Sequence, residues 1–147
     1  MSGFEDFVNE RERLNEKTLK FGQKNIKRFF NLDWNTYKEG ALDKKTKEMM
    51  GLVASMVLRC DDCINYHMME CYQAGISDEE LEEVFSIALI VGGSIVIPHL
   101  RRAVDKWEEI KDYYAPSIDK DKKQFFEYLL TRCEKILSSE EDINIAM

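Results

Sequence analysis

Apolar residues recur along most of this chain at intervals of three and four, with charged residues between them. That period belongs to helices that bury one face, and strand-like alternation is scarce. From Phe4 to about Phe30 the series Phe7, Val8, Leu14, Leu19, Phe21, Ile26, Phe29 and Phe30 predicts an amphipathic helix with a break near Gly22. Residues 31–40, a polar mixture around Trp34 and Tyr37, predict a turn or a brief helix. Asp43 then suits an N-cap ahead of Glu48, Met49, Leu52, Val53, Met56 and Val57, one broad apolar face that should end near Arg59.

Asp61 or Asp62 can start the next helix, which runs through His67 to about Gln73, and Gly75 offers the left-handed residue that commonly closes one. Ser77 with Glu80 is a capping-box pattern, flanked by Ile76 and Leu81 as a hydrophobic staple. The helix it opens carries Leu81, Val84, Phe85, Ala88, Leu89 and Val91 to Gly92 and Gly93, glycines that permit close backbone approach. Ile95 to Tyr114 predicts a further helix with Pro98 in its first turns. Beyond Pro116, the spacing of Phe125, Phe126, Leu129, Leu130, Cys133, Ile136 and Leu137 predicts a last helix before an acidic tail.

Only two prolines and seven glycines interrupt a chain rich in Glu, Lys, Leu and Met, which strengthens the reading of an all-α fold. With 147 residues and 44% apolar side chains it can bury one ordinary core, so a single domain over residues 1–147, a compact helical bundle, is expected. The Met-rich and Gly-Gly elements carry more apolar helix face than one domain of this size covers, which predicts self-association.

A formal charge of −7 argues against partners that are polyanions, so neither nucleic acid nor an anionic membrane surface is expected. The longest apolar stretch, Phe85 to Leu100, is interrupted by Ser86, Gly92, Gly93, Ser94, Pro98 and His99 and falls short of the ~20 residues of a membrane span. Glu5, Asp6, Glu10 and Glu12 stand where a secretory signal would be basic and then apolar, which predicts a cytoplasmic protein. In that compartment four cysteines are read as thiols, a redox pair or metal ligands.

The chemistry concentrates in Cys60-Asp61-Asp62-Cys63 and His67. Three-residue spacing across a helix start brings two sulfurs to one side and within disulfide reach. Free amides and the helix dipole there favour a thiolate, which Asp61 and Asp62 oppose. His67 follows Cys63 by one helical turn, where an imidazole can exchange a proton with the sulfur. A metal site is the rival reading, but Cys63 and Cys71 lie ~12 Å apart along a helix, whereas two sulfurs on one zinc stay within ~4.6 Å. Three ligands, Cys60, Cys63 and His67, with Glu48 or water as a fourth, remain open to a metal. Cys71 and Cys133 read as small buried hydrophobes. His99, beside Arg101 and Arg102, reads as a cap of the preceding turn or a contact to a substrate carboxylate.

With those residues in view, Leu42 to Trp107 resembles the carboxymuconolactone decarboxylase family, and within it the AhpD-like alkylhydroperoxidases. The resemblance rests on Lys47-Glu48, on Cys60-x-x-Cys63-x-x-x-His67, on Gly75-Ile76-Ser77 with Glu79-Glu80, and on the apolar run that ends at Gly92-Gly93. It implies a helical fold assembled as a homotrimer or homohexamer. It also implies a peroxidase cycle without a cofactor, in which Cys63 attacks a hydroperoxide, Cys60 resolves it, and Glu48 with His67 relays protons. A dithiol or thioredoxin-like protein would be the reductant. Such enzymes carry a second histidine before the attacking cysteine, where this chain has Asp62, so the relay here is shorter or differently wired. Family members that decarboxylate a lactone lack the cysteine pair, and this sets a non-redox lyase, like a helical metal-binding or assembly protein, behind the redox reading.

Overall fold

The computed structural model describes residues 3–115, and all of the regular structure among them is helical. Five α-helices follow in order: α1 (Phe4–Phe21), α2 (Lys24–Thr36), α3 (Lys44–Val57), α4 (Asp61–Gln73) and α5 (Asp78–Gly92). A 3-10 turn at Ser94–Val96 leads into a sixth, α6, residues 97–115. The all-α architecture expected from the periodicity is therefore present. By its contacts the chain groups into two units, Met1–Lys111 and Asp112–Met147, and the site lies in the first. The helix expected around Phe125 to Leu137, with Cys133, falls outside the described residues.

α3 is the centre of the first unit, packed against α4 on one side and α5 on the other. Its buried stripe of Leu52 and Met56 meets Ile64 and Met68 of α4 and Leu81, Val84, Phe85 and Ala88 of α5, with Val96, Ala103, Trp107 and Ile110 closing the core. Each large side chain removed from water here contributes roughly 1.5–3 kcal/mol. Polar ties fix the helices in register. Lys45 reaches Glu80 at 2.7 Å between α3 and α5, and Lys44 reaches Glu70 at 2.5 Å between α3 and α4. The Trp107 indole donates to Asp78 at 2.7 Å, joining α6 to the start of α5.

The punctuation follows the sequence closely. The break near Gly22 is real, and a Cβ there would stand 2.8 Å from the Thr18 carbonyl. Asp43 caps α3 by accepting the Thr46 amide at 2.6 Å. The capping box of α5 is complete, with Ser77 Oγ accepting the Glu80 amide and the Glu80 carboxylate accepting the Ser77 amide. Gly92 sits where α5 turns into the 3-10 segment, so close to Val96 that a Cβ would meet its Cγ2, while Gly93 takes a φ of 75°.

One element differs from the pattern. The turn or brief helix expected over residues 31–40 starts later, because residues 31–36 are the second half of α2 and only residues 37–40 form the turn. Asn35 and Thr36 donate their side chains to the Asn31 and Leu32 carbonyls four residues back. The polar groups that suggest a turn are thus absorbed inside the helix.

Ser77→Ala removes one half of the capping box and should lower stability by about 1 kcal/mol. The check is a fall in the urea midpoint at unchanged m-value, with Ser77→Asp close to the parent.

Candidate active site

The turn between α3 and α4 places the cysteine pair. Arg59 adopts a φ of 60°, a left-handed conformation rare for a residue with a Cβ. Its amide bonds to the Met56 carbonyl at 3.0 Å and the Cys60 amide to the Ser55 carbonyl at 3.0 Å. These two bonds form a Schellman motif. The same motif closes α4, where Gly75 supplies the left-handed residue with a φ of 82°. Strain of order 1–3 kcal/mol at a non-glycine position persists only where neighbours enforce it.

Cys60 comes next and is the N-cap of α4, in the place a serine or aspartate usually takes. Its Sγ accepts the Cys63 amide at 3.3 Å. Cys60 and Cys63 are joined as a disulfide, their Cα atoms 5.3 Å apart, and both are half-buried. Asp61 and Asp62 occupy the first helical turn. Asp62 is exposed. For Asp61, burial pushes the carboxyl up, but hydrogen bonds from His99 and Arg102 together with their charges outweigh it and hold the group below the usual carboxylate range.

A second, buried couple joins α3 to α4. Glu48 is 1% exposed and His67 8%, and His67 Nδ1 lies 2.8 Å from Glu48 Oε2. Two aromatic rings flank the imidazole, Tyr37 at 5.2 Å and Tyr66 at 5.3 Å between centroids. Gly51, one helical turn after Glu48, makes the space. A Cβ there would stand 2.6 Å from His67 Cε1 and 2.8 Å from both His67 Nε2 and the Tyr37 hydroxyl. Lys47 holds Tyr37 in place by donating to the carbonyls of Thr36 and Lys38, on either side of it.

The structure thus joins Cys60 with Cys63, and Glu48 with His67. Among the described residues no hydrogen bond links His67 to either sulfur in this disulfide state. A cleft of about 100 Å³ opens over Glu48, lined by Trp34, Tyr37, Lys44, Tyr66 and Glu70 among others. Burial raises the Tyr37 hydroxyl, and burial pushes Tyr66 up to about 12, so both phenols stay protonated at neutral pH. Cys71 is fully buried, with its thiol pushed by burial to about 12, which leaves it an inert core residue. Among the described residues no three His, Cys, Asp or Glu side chains converge as metal ligands do.

His99 differs from one of its two sequence expectations: it does not cap the preceding turn, and its Nδ1 instead lies 2.7 Å from Asp61 Oδ1. Sequence reasoning also passed over Tyr37, Gly51 and Tyr66. A glycine one turn after Glu48, inside an otherwise apolar helix, was the signal available for them.

The fold and this geometry can be set beside known proteins. Residues 24–106, more than half of the chain, match the family model for the carboxymuconolactone decarboxylase family. Two solved structures of a Thermotoga maritima family member, for which involvement in an antioxidative response has been suggested, are similar at 60% and 61% identity. They cover 76% of this chain and 95% and 97% of theirs, with TM-scores of 0.72 and 0.73. A family member from Legionella pneumophila, solved in its apo form, is similar at 27% identity over 73% of this chain and 96% of its own, with a TM-score of 0.67. A Paracoccus denitrificans protein described as uncharacterized protein 4 in the cox locus is 27% identical over 82 residues, 56% of this chain and 74% of its own. No helix among the described residues is long and apolar enough to cross a membrane. The chain belongs to the carboxymuconolactone decarboxylase family.

Proposed function

We propose that this protein is a thiol-dependent oxidoreductase that reduces an organic hydroperoxide through a Cys60–Cys63 disulfide cycle, with Glu48 and His67 handling the proton. The observation that carries the reading is a CxxC pair at the entrance of α4, one helical turn before the imidazole of a buried imidazole–carboxylate couple whose carboxylate comes from α3. The suggested antioxidative role of the Thermotoga maritima protein points the same way.

In the reduced enzyme Cys63 stands one helical turn before His67, within reach of its imidazole. His67 takes the thiol proton, and the Glu48 carboxylate stabilises the imidazolium. The Cys63 thiolate attacks the terminal peroxide oxygen, and the O–O bond breaks. The alkoxide takes the proton back and leaves as an alcohol, with Cys63 now a sulfenic acid. Cys60 attacks that sulfur, hydroxide leaves and is protonated to water, and the disulfide seen here results. A dithiol or thioredoxin-like reductant of the cytoplasm returns two electrons and two protons. The Glu48 cleft, walled by protonated Tyr37 and Tyr66, gives the couple a route to bulk water.

Self-association completes the reading. α2 buries none of its residues, yet carries Phe29, Leu32 and Trp34 exposed. Met50, Val57, Leu58, Ile87 and Val91 border an apolar groove of about 790 Å³ between α3 and α5. A second copy, as in a homotrimer or homohexamer, would cover these faces.

Three outcomes test these statements. Sedimentation at micromolar concentration should show a species larger than the 17.3 kDa monomer, and monomer alone would refute assembly. After peroxide treatment a dimedone-type probe should label Cys63 in Cys60→Ser; labelling of Cys60 in Cys63→Ser, with none in the other variant, would reverse the order of attack. Glu48→Gln should slow hydroperoxide turnover by about tenfold or more. The pH dependence of its rate should change as well, because the imidazole then takes the thiol proton without a carboxylate beside it. Disulfide formation by a chemical oxidant should be unchanged, so a variant slow in both would mark Glu48 as structural.

A further inference from the structure

One charged cluster plays no part in that cycle. Asp61 follows Cys60 directly, in the first turn of α4, and α6 brings two side chains onto its carboxylate. Arg102 Nε donates to Oδ2 at 3.1 Å, and a terminal guanidinium nitrogen lies 3.0 Å from the same oxygen and 3.4 Å from Oδ1. His99 Nδ1 stands 2.7 Å from Oδ1 and 3.0 Å from the guanidinium. A guanidinium nitrogen only donates, so Nδ1 cannot serve both neighbours. The shorter contact to an anionic oxygen places the proton on Nδ1, and His99 donates to Asp61.

The position of this cluster matters because the same helix entrance holds the cysteine pair. Cys60 Sγ already accepts the Cys63 amide at 3.3 Å, the interaction that would stabilise a thiolate there. Two aspartates in that turn work against it. Residues this close lie within the ~8 Å screening length of physiological salt, so solvent does not remove their influence. Asp62 is exposed, whereas Asp61 is drawn against α6 and neutralised.

We propose that Arg102 and His99 are positioning residues of the redox pair: by holding and neutralising Asp61 they keep the α4 entrance able to carry a thiolate, and so raise the reduction potential of the Cys60–Cys63 disulfide. This rests on the pair being redox-active, as argued above. Reduction adds two electrons and up to two protons and breaks the S–S bond, with glutathione as the electron donor that becomes oxidised. Whatever stabilises a thiolate in the product stabilises the reduced form and makes the disulfide more oxidising.

The test equilibrates the full-length protein with glutathione buffers of graded potential, in the absence of any peroxide, and reads the reduced fraction by thiol trapping and intact mass. Arg102→Met should lower the equilibrium constant for reduction at least threefold, about 14 mV at 29.6 mV per tenfold. Asp61→Asn should raise it by a similar factor. Both substitutions break the same bridge, so a cluster that merely tethers α6 to α4 would shift both in one direction. Arg102→Lys, which keeps the charge, should fall between the parent and Arg102→Met. His99→Val should move toward Arg102→Met, and His99→Asn, which keeps a donor near the place of Nδ1, should stay near the parent. Shifts of equal sign for Arg102→Met and Asp61→Asn, or shifts below threefold in both, would overturn the proposal. A parent protein that shows no two-electron titration would remove the redox reading along with it. A protein that titrates as expected yet turns over no hydroperoxide leaves this proposal standing and removes only the peroxidase reading.

Discussion

Glu48 sets the terms for the site. A carboxylate 1% exposed needs a partner, because an unpaired buried charge costs several kcal/mol. The partner is His67, on another helix and 19 residues away. Meeting it fixes the register of α3 against α4 as firmly as the apolar contacts around it. The close approach also requires Gly51, since a Cβ would clash with the imidazole and the Tyr37 hydroxyl. Removing either member of the couple would leave the other unsatisfied, which costs more than the pair itself contributes.

Around that couple, environment sorts residues of one type into different chemistries. Cys71 lies on α4 with Cys63, two turns further on, yet burial among apolar side chains makes its thiol inert. Cys60 and Cys63 lie where backbone amides are free, and there a sulfur can take over the work of a capping oxygen. The histidines divide in a similar way. Both present Nδ1 to a carboxylate, but His67 is buried against Glu48, whereas His99 meets an Asp61 that is about half exposed.

Much of this was legible from sequence, and the reason is that local chemistry fixes it. Asp43, Ser77 with Glu80, Gly75 and the three-and-four periodicity each act over a few residues, and each appears in the structure where the pattern places it. The extension of α2 was not legible, since Asn35 and Thr36 favour a turn or a helix depending on where their side chains bond. Nor was the Schellman turn after α3, where Arg59 stands in the place that glycine marks in the next turn. The site splits along the same line. Cys60, Cys63 and His67 share one helix and follow from spacing, and Glu48 came from the family resemblance. Tyr37, Gly51 and the Asp61–His99–Arg102 cluster depend on how α2, α3, α4 and α6 meet, which no local pattern encodes.

The exchange of a histidine for Asp62 can now be placed in three dimensions. In the AhpD-like pattern an imidazole stands directly before the attacking cysteine, and here that position is an exposed carboxylate. An imidazole does reach the motif, but from α6, and it is hydrogen-bonded to Asp61. With its Nδ1 proton committed to that carboxylate, the role proposed for His99 is to hold Asp61 at the helix entrance. Proton handling in the proposed cycle then falls to the one imidazole that shares a helix face with Cys63. That imidazole is His67, whose Nδ1 is held by Glu48 and whose Nε2 edge shares the space over Gly51 with the Tyr37 hydroxyl. A relay shortened to Glu48 and His67 needs its remaining members held rigidly, and a buried ion-pair geometry walled by two aromatic rings supplies that rigidity.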